Sequence, residues 1–259
     1  MAMTLYHGEP NGPSLTVLAT LFEKGVEAEL KRIDLASGER HTLPFARDTE
    51  VALSIEGEGP VLVVDSTPMT DALYVAMYLD EIGSGPSLQP PGALGHWDVL
   101  VWARFVAERL APAASTLGTR AYLAPRLAGR SKADVDAMIA RIDSVDLADR
   151  WRSVAANDFP EEQIADSHRK LKLVTERTEQ ALENSDWLLG DFSITDLEVY
   201  GWLASMPLLS VAAFADAPKT KAWMERVENR PSVQKALALA TVEEATQSWA
   251  PGPEHSRWG

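Results

Sequence analysis

Two places in the chain bring together residue types suited to holding an anion. Ser14 follows a loop, residues 8–13, with two glycines and two prolines. It opens a helical recurrence of Leu15, Val17, Leu18, Leu21 and Phe22 that Gly25 closes. A hydroxyl at a helix start sits where the macrodipole favours negative charge, so a thiolate there would be stabilised and could accept its hydrogen bond. An N-cap serine fills the same position with no ligand at all. Both readings of Ser14 stand on the residues alone. The second place is Arg40-His41: in an acidic chain, adjacent basic groups suit either an anion clamp or a solvated turn.

Other chemistry is narrow. The 259 residues contain no cysteine, which excludes disulfides, thiolate metal sites and a cysteine nucleophile. His7, His41, His96, His168 and His255 are scattered and lack the spacing of a two-histidine metal motif, so no metal is expected. A net charge of −14 argues against nucleic acid, whose affinity rests on Lys and Arg neutralising phosphates. Residues 1–6 show no basic region followed by an apolar run, and no stretch approaches the ~20 apolar residues of a membrane helix. The expectation is a cytoplasmic chain with no membrane partner.

The elements that must position these residues read as follows. Thr4-Leu5-Tyr6 is a short strand, the Ser14 helix follows, and residues 28–33 form a second strand. This order implies a right-handed crossover and a parallel pair. Glu56-Gly57-Glu58-Gly59-Pro60 leads into Val61-Leu62-Val63-Val64, a buried strand with a proline at its start. Asp65-Ser66 turns the chain, Thr67-Pro68-Met69 returns, and Thr70-Asp71 starts a helix carrying Leu73, Val75, Ala76, Met77 and Leu79. On the residues alone this is a hairpin before a helix.

A linker rich in Gly, Pro and Ser then intervenes, and the rest reads as helical. A long helix from about Gly95 carries Trp97, Trp102, Phe105 and Leu110, and Pro112 interrupts or kinks it. Ser131-Lys132-Ala133-Asp134 and Ser193-Ile194-Thr195-Asp196 are capping boxes. Pro160-Glu161-Glu162 starts a helix running to Glu183, and residues 216–227 and 232–239 are the last helices. Residues 243–259, with Trp249 and Trp258, show no pattern.

Strand, turn, strand and helix, with Ala72 twelve residues after Pro60, resembles the thioredoxin-fold half of glutathione transferases. Further along, the chain is similar to the LigF-type bacterial β-aryl etherases over nearly its whole length. The matching stretches include Ser14-Leu15, Leu18-Ala19-Thr20-Leu21-Phe22-Glu23-Lys24-Gly25, Ile33-Asp34, Glu39-Arg40-His41 and Val101-Trp102. They continue through Ser115-Thr116-Leu117-Gly118, Trp151-Arg152, Asn157-Asp158-Phe159-Pro160 and the block from Phe192 to Asp196.

The resemblance implies an α/β N-terminal thioredoxin-like domain over residues 1–83, a linker over 84–94 and an all-α C-terminal domain over 95–259. It implies a cis Gly59-Pro60 bond, with Gly59 offering its backbone to the cysteinyl part of glutathione. Asp71 and Ala72 would receive the γ-glutamyl end, Arg40 and His41 the glycyl carboxylate, and Ser14 the thiolate. Asp196 would be structural. Trp102, Phe105 and Tyr122 would line the pocket of an aromatic substrate, although aromatics at helical spacing also serve as ordinary core.

The implied reaction is glutathione-dependent cleavage of β-aryl ethers of lignin-derived aromatics, in a homodimer or heterodimer, with no metal. Three departures bear on this. Pro13 stands where those etherases carry Asn, Ala72 where the family carries Ser, and Ser54-Ile55 replaces Asn-Pro in a stretch between Phe45 and Gly57 that is longer than the family pattern. Losing a hydroxyl that donates to a carboxylate costs ~1.5–3 kcal/mol. These departures imply a partly degraded site. The alternative is a non-catalytic subunit of the same fold that supports an active paralogue.

Overall fold

The computed structural model describes residues 2–45, 59–248 and 251–256. Ser54-Ile55, the segment leading to Glu58, and Trp249 and Trp258 lie outside the described residues. Met3–His7 alternates, with Leu5 and His7 buried and the residues between them partly exposed, which makes it a strand (β1) with one face on the core. It lies second in a four-stranded sheet of order β2-β1-β3-β4. β2 (Glu29–Arg32) runs parallel to it with Leu5 beside Leu30, and β3 (Val61–Val64) runs antiparallel with Leu5 beside Leu62. β4 (Thr67–Met69) returns antiparallel to β3 at the edge, where Pro68 is tolerated.

Between β1 and β2 runs α1 (Gly12–Glu23), whose residues from Gly12 to Leu21 are all buried. A helix apolar all round is a core helix. It packs on α2 (Ala72–Ile82) and on two helices from the far end of the chain. At its last turn Lys24 and Asp80 form a buried ion pair at 2.9 Å, and Lys24 Nζ also donates to the Pro86 carbonyl.

The long helix starts at Gly92, not Gly95, because Pro91 is extended and acts as its cap. It therefore begins inside the stretch read as linker. Pro112 does not end it. α3 (Gly92–Phe105), α4 (Ala111–Gly118) and α5 (Ala124–Ala128) run on through two π-helical turns, Val106–Leu110 and Thr119–Leu123. Each π turn comes just before a proline, and the wider turn absorbs the ring and the missing N–H that would break a tighter helix.

α6 (Lys132–Ile139) and α7 (Val145–Ala155) are opened by Ser131 and Ser144, whose hydroxyls accept from Asp134 N–H and Leu147 N–H. α8 (Glu161–Ala181) follows Pro160, and the Ser193 and Asp196 box opens α9 (Ile194–Leu203). α10 (Met206–Leu209), α11 (Pro218–Glu228) and α12 (Pro231–Leu237) complete the α-helices among the described residues.

Asp196 is fully buried and accepts four hydrogen bonds, from Leu188 N–H, Ser193 N–H, the Ser193 hydroxyl and Trp223 Nε1–H. That is a structural residue. One core cluster runs through both halves of the chain, from Leu15, Leu18 and Leu62 to Leu110, Trp202 and Trp223, while a second gathers Leu123, Met138 and Trp151.

The described parts of the patternless tail, residues 243–248 and 251–256, hold two 3₁₀ turns, Ala245–Gln247 and Gly252–His255, and the first part crosses back over the start of α1.

Candidate functional site

Ser14 is not the helix cap. The cap is Asn11, with Gly12, Pro13 and Ser14 as the first helical turn. Pro13 costs this helix nothing, because first-turn N–H groups have no intrahelical partner. The Ser14 hydroxyl, 2% exposed, accepts from Gly8 N–H at 3.0 Å. That bond fixes the oxygen beside the end of β1, and its hydrogen finds no acceptor among the described residues. It is therefore a buried donor at the positive end of a helix. Nearby His7 is buried with Nδ1 at 2.8 Å from Gly8 O, and burial lowers its basicity.

The Gly59-Pro60 bond is cis, as expected. The Pro60 carbonyl accepts from the buried Thr70 hydroxyl at 3.1 Å, which ties the start of β3 to the start of α2. Asp71 then takes φ 71° and ψ 119°, a region where a non-glycine residue is strained. Its carboxylate accepts from Leu73 N–H at 2.9 Å and Tyr74 N–H at 3.1 Å. Asp71 itself thus fills two of the donors at the start of α2. Ala72 follows as the first helical residue, with no hydroxyl to add.

Arg40 and His41 lie on the 3₁₀ turn Glu39–Thr42, Arg40 being 1% exposed. A solvated turn is excluded for Arg40. His41 Nε2 stands 3.8 Å from Glu254 Oε1, a residue of the tail. Glu254 is buried and accepts from Trp151 Nε1–H at 3.1 Å. Arg150 donates to the Pro253 and Glu254 carbonyls, and Ser115 to the Gly252 carbonyl. Gly252 has φ +74°, and a Cβ there would come within 2.8 Å of the Trp151 ring, so only glycine fits. At its other end the tail receives both hydrogens of the Asn11 amide, on Ala245 O and Ser248 Oγ, and Thr241 binds Glu9.

Ser14, Asp71-Ala72, Gly59-Pro60 and Arg40-His41 thus lie on the loops and helix starts around β1 and β3. Trp102, Phe105 and Tyr122 belong to or pack against one core cluster. Trp102 and Phe105 pack edge to face at 6.0 Å and hold the Arg177 guanidinium over both rings at 4.2 and 4.3 Å. Tyr122 lies farther along the same run, in its second π turn, and is half-buried. None of the three lines the cavity of about 370 Å³ between α4 and α8 or its neighbour of about 240 Å³. No group of three or more His, Cys, Asp or Glu that could hold a metal is found among the described residues.

Residues 127–231 match the glutathione S-transferase C-terminal domain. Protein LigF of Sphingobium sp. (strain NBRC 103272 / SYK-6) is 26% identical over 254 residues, covering 94% of this chain and 96% of that protein. Glutathione S-transferase 3 of Zea mays is 24% identical, covering 92% and 95%. The crystal structure of beta-etherase LigF from Sphingobium sp. strain SYK-6 superposes with a TM-score of 0.82 at 24% identity, over 92% of this chain and 99% of that one.

The chain has the glutathione S-transferase fold, and its residues 127–231 match that family's C-terminal domain. As a glutathione S-transferase fold, it shows which residues sequence reasoning missed. Glu254 and Trp151 escaped because they lie 103 residues apart and share no motif. Asn11 looked like loop, since its cap role needs only backbone geometry. Glu198, which the sequence did not single out, is 8% exposed and faces Asp71, with Oε2 accepting no hydrogen bond among the described residues. Burial pushes its carboxyl up to about 8, and the Asp71 charge adds to the shift.

Proposed function

We propose that this chain binds glutathione along the loops between β1 and α2 and catalyses thiolate attack on a β-aryl ether. The observation that carries the reading is Ser14: a buried hydroxyl in the first turn of a core helix, oriented by the Gly8 N–H and with its own hydrogen left to donate. Its similarity to LigF over most of both chains supports the substrate class.

In this mechanism the Ser14 hydroxyl and the positive end of α1 favour the cysteinyl thiolate. The Gly59 backbone holds the cysteinyl part, Asp71 the amino group of the γ-glutamyl end, and Arg40 with His41 the glycyl carboxylate. The sulfur attacks the carbon that carries the aryloxy group next to a ketone. A C–S bond forms, the C–O bond breaks, and the electron pair leaves on phenolate, giving a thioether of inverted configuration. Glutathione is the only co-substrate this requires.

A second reading has its own support: Ala72 lacks the hydroxyl and Asp71 fills two helix-start N–H groups. In that reading the chain is a non-catalytic or impaired subunit that pairs with an active paralogue of the same fold. One assay separates the two. Purified chain is mixed with glutathione and a β-aryloxy aryl ketone, and phenol release is followed. Turnover by the chain alone, falling roughly ten- to a hundredfold in Ser14→Ala, is expected from loss of one charge-directed hydrogen bond. Absence of turnover alone, with recovery on co-expression with a paralogue, selects the second reading. Absence in both overturns the etherase assignment.

A further inference from the structure

The tail bears on the same site from two directions. Asn11 at the head of α1 gives its amide hydrogens to Ala245 and Ser248, so residues 245–248 lie over the helix start where the thiolate would sit. Nine residues beyond Ala245 and six beyond Ser248, Glu254 places its carboxylate 3.8 Å from His41 Nε2. That carboxylate is 5% exposed, and one oxygen accepts from Trp151 Nε1–H at 3.1 Å. The other oxygen, Oε2, is buried and accepts no hydrogen bond among the described residues. A carboxylate half-satisfied in the interior is an unfavourable arrangement unless its neighbours suit negative charge.

We propose that residues 241–248 and 251–256 are an internal ligand of the candidate glutathione site. The Glu254 carboxylate stands beside His41 where the glycyl carboxylate of glutathione would dock, so the tail and the tripeptide exclude one another. The inference rests on the glutathione reading of Arg40 and His41. Two carboxylates in one buried place repel strongly, so binding the tripeptide requires Glu254 to leave.

The fastenings of the tail suit a reversible strap. Ser115, Arg150 and Asn11 hold it through the carbonyls of Gly252, Pro253, Glu254 and Ala245. Water can take over those carbonyls once the strap lifts. Apparent affinity for glutathione is then lowered by the fraction of molecules whose tail is lifted.

Calorimetry with two thiols tests this. Glu254→Gln keeps the size of the side chain and an acceptor for Trp151 but removes the charge. Glutathione is expected to bind the variant about tenfold tighter or more than the native chain, as a site closed in most molecules requires. γ-Glutamylcysteine, which lacks the glycine, is expected to change less than about twofold. Amide exchange in residues 241–248 and 251–256 of the native chain should also quicken when glutathione saturates it.

An equal gain for both thiols overturns the proposal, since that is general loosening. So does glutathione binding with unchanged affinity and a tail still protected; the glutathione reading then survives and the tail is a fixed wall. If neither protein binds glutathione while both melt alike, the glutathione reading itself fails and the proposal with it.

Discussion

Glu198 shows how one side chain near the candidate site sets a property of the whole protein. Burial, with the Asp71 charge added, raises its folded-state pKa to about 8, against an unfolded value of about 4.3. Below the lower value the carboxyl is protonated in both states and folding is unaffected. Between the two, only the folded state holds the proton, so stability falls as pH rises, and the loss is complete once pH has passed about 8. Glu198→Gln removes this slope. Urea midpoints for the native chain should drop between about pH 5 and about pH 9 by a few kcal/mol equivalent, while the variant's change less. At this scale the sequence showed Ser14, Arg40 and His41 by residue type and position. Glu198 was hidden because an acid in a helix announces nothing until its face is known to be buried. Glu254 was hidden because its partner Trp151 belongs to another helix.

Among the elements, the Lys24 and Asp80 pair fastens α1 to α2 and to residues 86–89. Burial pushes the Asp80 carboxyl up, but Leu88 N–H, Lys24 and Gln89 outweigh it and hold it below the usual range. Its contribution is therefore present above about pH 3.9, the unfolded value, and is lost as pH falls through the lower folded one. Removing the cation leaves a buried carboxylate. Lys24→Met should destabilise the chain by about 3 kcal/mol in urea melts and release exchange protection in residues 84–89; no change in either would make the pair ornamental. Elements with strong periodicity and caps were legible: the Ser193 and Asp196 box, the Ser131 start of α6 and the β3–β4 hairpin were all read from the sequence. The continuation past Pro112 was not, because a π turn has no residue signature, and the tail was not, because its fastenings lie in distant helices.

For the molecule as a whole, the surface of α3 bears Leu94, Trp97 and Leu100, each at least half exposed, beside Tyr74 on α2. Both helices pack on α9, and Leu73, Ala76, Val99 and Ala103 share one buried cluster with Leu88 and Ile194. A homodimer of chains carrying −14 each would need apolar contact to offset like charge, and this face would offer it. Trp97→Glu should convert a dimer to monomer in sedimentation without lowering the melting point of the monomer; an unchanged sedimentation coefficient places the interface elsewhere. The strap over α1 has a further consequence for biosynthesis. Asn11 meets partners made 234 and 237 residues after it. On the ribosome the head of α1 therefore emerges bare and stays so while the helices fold beneath it. A chain whose translation stops short of Thr241 would keep that head open for good.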